Sequence, residues 1–123
     1  MSLNQVNVLE ACKSASVLWK NYFNNQDSSG CAQQYSEGAT MLAKPFGVFE
    51  GREQIQLFWQ GIIDQGFSNV KYHDTEWLKE GDDGYLLTSK WSMNKAHGLI
   101  HKEHWRIQTN GAALLEYDEF EVL

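Results

Sequence analysis

The sequence predicts a single α+β domain, because helical periods fill its first half and strand alternation fills its second. Val8, Cys12, Ala15, Trp19 and Tyr22 recur at three- and four-residue steps, the spacing of a helix with one buried face. Ile55, Phe58, Trp59, Ile62 and Ile63 form a second such stripe. From Tyr85 onwards the chain alternates in twos, the period of a half-buried strand. Helices first and strands last argue for α+β over alternating α/β. A length of 123 residues suits one domain, residues 1–123, and is enough for a core without metal or disulfide staples.

Each element has a local reason. Asn4 is placed to cap a first helix that runs to about Asn24. The polar run from Asn24 to Ser29 breaks the period, and Asp27 or Ser28 can cap a short second helix ending near Tyr35. Ala39 to Ala43 is a short apolar strand, closed by Pro45 and Gly47. The third helix runs from about Gly51 to Ile63, and Gly66 supplies its C-terminal cap. Phe67 to Lys79 reads as a long strand with room for a bulge, and Gly81 to Gly84 as a turn. Tyr85 to Asn94, Leu99 to Gln108 and Ala112 to Val122 complete the strands. Strict alternation puts Leu99, His101, Glu103, Trp105 and Ile107 on one face.

Composition excludes several functions. The net charge is −6 and no basic stripe exists, so no nucleic-acid partner is expected. No run reaches the ~18 apolar residues of a membrane span. A secretory leader is not visible, which with only two cysteines, Cys12 and Cys31, points to a reduced cytoplasmic protein. Both thiols read as small packing hydrophobes. Five Trp, six Phe and five Tyr predict a bulky core or a ring-lined cavity.

The segment YSEGATMLAKPFGVFEGREQIQLFW, residues 35–59, and the segment EHWRIQTNG, residues 103–111, resemble the superfamily of nuclear transport factor 2, ketosteroid isomerase and the SnoaL-type polyketide cyclases. The resemblance covers nearly the whole chain. It implies a cone-shaped, cystatin-like roll, with three helices packed in the concave face of a curved, mostly antiparallel sheet. It also implies a homodimer built on the outer sheet face, where Thr88, Lys90, Ser92, Ile100, His104, Arg106, Leu115 and Tyr117 are expected.

The resemblance also implies site residues. The isomerase's oxyanion-hole tyrosine falls on Trp19, its general base on or beside Ala43 and Lys44, and its protonated acid on Glu103. Tyr22, one turn from Trp19, is a substitute phenol donor. The run EYD resembles the His-Trp-Asp run of the cyclases, so Asp118 matches their acid or base and Glu116 stands where they carry histidine. That alignment turns Leu114, Glu116, Asp118 and Phe120 towards the pocket. Like charges in a poorly solvated pocket cannot all ionise. The expected catalytic set is therefore Glu103, Asp118 and Glu116, with Glu103 as a neutral donor and Asp118 as the base. Trp19, Tyr22, Trp59, Trp91, His101 and Trp105 are the expected substrate-binding residues.

No metal or cofactor is expected. On a strand His97 and His101 lie roughly 13 Å apart and His104 points the other way, which cannot close a tetrahedral site. Run GDDG lacks the spacing of a calcium loop, and no nucleophile elbow is present. The functional expectation is proton transfer on a small apolar molecule, as in an isomerase, cyclase or dehydratase. A non-catalytic small-molecule binding protein and a protein-interaction module of the same fold are the alternatives.

Overall fold

The computed structural model describes residues 7–123. The cap expected at Asn4 lies outside them. Asn7 opens helix α1, Val8–Asn24, by accepting a hydrogen bond from the Glu10 amide at 3.2 Å, which satisfies one of the orphan donors of a first turn. Cys12, Ala15, Ser16, Trp19 and Phe23 form its buried face. Phe23, not Tyr22, ends the stripe: it is fully buried and stacks on Trp19 at 5.6 Å. Helix α2, Ser28–Gln33, is capped by Asp27. Tyr35, expected at its end, instead begins strand β1, Tyr35–Lys44, which is longer than the five residues expected.

Strand β1 turns at a cis Lys44–Pro45 peptide into β2, Gly47–Glu50. Helix α3, Gly51–Asp64, follows and buries Ile55, Trp59 and Ile63 at four-residue steps. Gly66 takes φ +89° just beyond it, and its amide bonds to the Ile63 carbonyl, the left-handed stop that glycine allows without a Cβ clash. Strand β3 is Lys71–Glu80, starting four residues later than expected. Val70, just before it, is held by the Asn24 side chain, which accepts from the Val70 amide at 2.7 Å and donates to its carbonyl at 3.3 Å. Strands β4, Gly84–Ser92, β5, His97–Ile107, and β6, Ala113–Val122, complete the chain.

The six strands form one sheet in the order β2-β1-β6-β5-β4-β3. All pairings are antiparallel except β1 with β6. The three helices pack against this sheet and one another, giving the expected roll. Cys12 and Cys31 are free and fully buried in the core. Burial pushes their thiols up to about 11 and about 12 respectively, so both stay protonated and inert.

Two bulges decide which side chains face the helices. Between β5 and β6, Ile100 pairs with Phe120 while Lys102 pairs with Glu119, which makes His101 an extra residue on β5. Further along, His104 pairs with Tyr117 while Trp105 pairs with Leu115, which makes Glu116 an extra residue on β6. A one-residue bulge reverses every facing on one side of it. Ile100 and Leu115, expected on the outer face, are therefore buried, and Leu99 and Leu114 are only partly so. Glu103, Trp105, Asp118 and Phe120, beyond the bulges, keep the expected inward facing.

Candidate functional site

The inward residues of β5 and β6 meet α1 and α3 around a cavity of about 30 Å³, measured as the space open to the centre of a water molecule. Its walls are mostly rings: Trp19 from α1, Trp59 from α3, Tyr72 from β3, Trp91 from β4 and Phe120 from β6. Val70, Met93 and Ile100 fill the gaps. Gly98 lets the Trp91 ring lie this close to the sheet, because a Cβ there would collide with that ring and with the Glu121 carbonyl. A second cavity of about 60 Å³ lies beyond, lined by Phe46, Phe58, Ile62 and Phe67 among others. Trp59, Trp91, Met93 and Phe120 are common to both. The first cavity is too small for a four-ring body unless that shared wall moves.

Glu103 and Asp118 are the two charged groups of the cavity wall. They are direct cross-strand partners, and each is 4% exposed. Cross-strand partners have Cα atoms roughly 4.5–5.5 Å apart, so burial and mutual repulsion oppose ionising both.

The surroundings of the two acids differ. Glu103 accepts from the Trp105 indole N–H at Oε1 and from the Tyr72 hydroxyl at Oε2, both at 2.8 Å. The Lys20 ammonium sits 4.4 Å over the Tyr72 ring. Burial holds the Glu103 carboxyl above its ordinary value, and the Trp105 and Tyr72 donors and the Lys20 charge offset only part of that rise. Asp118 accepts from the Tyr35 hydroxyl at Oδ2, 2.7 Å, and Trp59 in turn donates to that hydroxyl at 3.2 Å. Tyr35 is fixed from behind by Arg52, which donates to its carbonyl at 2.8 Å. Burial and the charge of Glu103 push Asp118 well above the usual carboxylate range, with only Tyr35 opposing them. Three groups thus favour the Glu103 anion and one favours the Asp118 anion, so a proton shared by the pair resides on Asp118. This order is the reverse of that expected from the sequence.

Other expected site residues are distributed as follows. Trp19, Trp59 and Trp91 line the cavity. Trp105 is buried and reaches the site through Glu103. Tyr22 is half-buried with its ring against Gly30, where a Cβ would collide with it, and is not part of the cavity wall. His101 is exposed and pairs with Glu121 at 2.8 Å. Glu116 pairs with Arg106 at 3.4 Å on the same outer side. His101 and Glu116 leave the site because they are the two bulge residues.

Tyr72 and Lys20 were not identified from the sequence. Tyr72 pairs with Trp91 across β3 and β4, a register that no local pattern reveals. Asn24 was visible only as a helix breaker, although its two bonds to Val70 position the start of that strand. Among the described residues no group of three His, Cys, Asp or Glu side chains could hold a metal ion.

No family model and no curated protein matches the chain. Solved structures do match in fold. A ketosteroid isomerase-like protein from Erwinia carotovora atroseptica superposes with a TM-score of 0.80 at 11% identity, covering 96% of this chain and 98% of that one. A scytalone dehydratase-like protein from Novosphingobium aromaticivorans gives 0.80 at 12% identity, covering 100% and 89%. A protein of unknown function with a cystatin-like fold from Nostoc punctiforme gives 0.76 at 12%, covering 90% and 87%. The chain has the fold of these proteins, the last of which is described as cystatin-like. At such identities the likeness concerns the fold, which hosts unrelated chemistries.

Proposed function

We propose that the protein is a cofactor-independent proton-transfer enzyme of the isomerase, cyclase or dehydratase kind, acting on a small apolar molecule. The observation that supports this reading is the pair of opposed, buried carboxylates with unequal hydrogen bonding in a ring-lined cavity. A neutral acid beside an ionised one is a working acid/base pair. In this reading Glu103 removes a proton from a carbon next to a carbonyl. Protonated Asp118 donates a hydrogen bond to the oxygen as charge develops there. Glu103 then returns its proton to the substrate, and both groups end as they began. A placed base contributes roughly 10²–10⁴-fold, and removal of an oxyanion donor costs roughly 10²–10³-fold. Tyr72, Trp105 and Lys20 hold Glu103 ionised, and Tyr35 orients Asp118.

The test is uptake of solvent deuterium at the α-carbon of a panel of small cyclic and aryl ketones, followed by mass spectrometry. Exchange above the buffer rate that is lost in Glu103→Gln supports the reading. Equal rates with and without the protein across the panel would replace it with the binding-protein alternative. One observation favours that alternative: both Glu103 oxygens already accept hydrogen bonds. We further propose a cytoplasmic homodimer pairing through the outer face of the sheet, without Ile100 and Leu115, which are buried. Sedimentation that finds a monomer at high micromolar concentration removes the dimer.

A further inference from the structure

The carboxylate cavity of about 30 Å³ is the smaller of two, and the one beyond it measures about 60 Å³. At ~10–15 Å³ for each water-sized group, the outer cavity has room for about four to six such groups and the inner one for about two or three. The outer walls carry no charged residue among those described. Their two indole N–H groups, of Trp59 and Trp91, are already given to the Tyr35 hydroxyl and the Leu99 carbonyl. An apolar void of this kind stays dry and takes apolar matter. Phe46, on its wall, is 55% exposed, which puts that end of the cavity near the surface.

Four side chains divide the two cavities, and three of them are fixed. Trp59 is bonded to Tyr35 and packed between the rings of Trp19, Phe23, Phe58 and Phe120. Phe120 stacks on Trp59 and meets Trp91 edge-on. Trp91 is bonded to the Leu99 carbonyl and lies against Gly98. Met93 differs. It lies past the end of β4, in the turn to β5, where its amide donates to the Ala96 carbonyl at 2.8 Å. It is half-buried, and its unbranched side chain turns about three rotatable bonds.

We propose that Met93 is a gate between the cavities, and that the ligand is a compact head carrying an unbranched apolar tail. The head sits beside Glu103 and Asp118, and the tail enters the outer cavity. Turning Met93 alone opens a slot one side chain wide, because the three rings around it stay in place. Such a slot passes a methylene chain. It stops a branched or fused-ring tail, whose passage requires Trp59 or Trp91 to give up its hydrogen bond. Each methylene that enters the outer cavity leaves water, which raises affinity about fourfold. This inference deepens the proposed function and rests on the carboxylate cavity being the ligand site. It does not require that any reaction occur there.

The experiment titrates the natural chain, Met93→Ala and Ala96→Phe with 1-butanol, 1-hexanol and 3,3-dimethyl-1-butanol, followed by NMR. A hydroxyl both donates and accepts, so it suits either carboxyl. The last two alcohols are isomers, and only the second ends in a tert-butyl group. The natural chain is expected to bind 1-hexanol about 15-fold tighter than 1-butanol, the gain from two methylenes. It is expected to bind 1-hexanol about tenfold tighter than the branched isomer, which the gate keeps out of the outer cavity. Met93→Ala widens the slot and should bring the two isomers within about twofold of each other. Ala96→Phe fills the outer cavity and should reduce 1-hexanol to the affinity of 1-butanol, with 1-butanol unchanged. Equal affinity for the two isomers, no gain from 1-butanol to 1-hexanol, or no binding of any of the three would overturn the proposal. Those natural-chain measurements decide the matter if a variant fails to fold. In folded variants, an isomer preference that survives Met93→Ala, or 1-hexanol binding that survives Ala96→Phe, would overturn it as well. Tail selection without deuterium exchange would refute the enzyme reading and leave this one standing, and exchange without tail selection would do the reverse.

Discussion

Asp118 and Glu119 are neighbours on β6 and point to opposite sides of it. Inside, burial and the charge of Glu103 drive the Asp118 carboxyl well above the usual range. Outside, the Tyr117 hydroxyl at 2.8 Å and the Lys44 ammonium at 3.2 Å hold Glu119 below it. Two similar acids one residue apart thus have opposite proton affinities. The lesson is that residue type does not make an acid useful for proton transfer. What matters is which side of the pleat it occupies, and whether its charge is solvated and paired. Glu103, inside, is 4% exposed, whereas Glu116 is partly exposed on the outer side and pairs with Arg106.

The sharpest way to break this comparison is to neutralise acids on each side. Glu103→Gln should lower deuterium exchange by roughly 10²–10⁴-fold, and Asp118→Asn by roughly 10²–10³-fold. Glu116→Gln and Glu119→Gln should leave the rate unchanged. An equal loss from an outer acid would show that the sides are not chemically distinct.

The next largest effect tests the bulge that creates the two sides. Leu115 is 1% exposed while Leu114 is partly exposed. Leu115→Ala should cost about 2–5 kcal/mol of stability by leaving a core cavity, and Leu114→Ala under about 1 kcal/mol. Urea unfolding of both variants measures the difference. The opposite order would mean that β6 runs without the bulge at Glu116.

A smaller effect concerns pH. Asp118 binds its proton more tightly folded than unfolded, so the folded state holds more protons above the ordinary aspartate pKa of about 3.9. Stability then falls as pH rises from that value towards the raised folded one. Asp118→Asn removes this loss and keeps an acceptor for Tyr35. It should be more stable than the natural chain at pH 7 by about 1 kcal/mol, the usual gain from relieving a strained site, with a flatter pH profile. Thermal unfolding between pH 4 and 8 checks both. The smallest effect is on the outer side. Lys44→Ala breaks a partly exposed pair with Glu119 and should cost under about 1 kcal/mol, less in high salt.

Much of the fold was legible because its causes are local. The α1 stripe from Cys12 to Trp19, the α3 stripe, the Gly66 stop and the Gly81–Gly84 turn follow from period and backbone freedom over a few residues. Glu103 and Asp118 were also legible, as inward acids on the last two strands. His101 and Glu116 were misplaced for one shared reason. Strict alternation counts every residue, and each of these is the one that the ladder skips. Tyr72 and Lys20 were missed because each becomes relevant only through a partner far along the chain.

Helical and strand periods, the capping side chains and the turn glycines come from interactions within a few residues, and the α+β order follows from them. The register between β4, β5 and β6 comes from pairing across the sheet, where burying Ile100 and Leu115 fixes where a residue must be extruded. That register sets Glu103 opposite Asp118. The donors then arrive from other elements: Tyr72 from β3, Tyr35 from β1 and Trp105 from β5 itself. Which acid keeps the proton depends on the number of those donors and the loss of water around both groups. Neither quantity exists until the chain is folded.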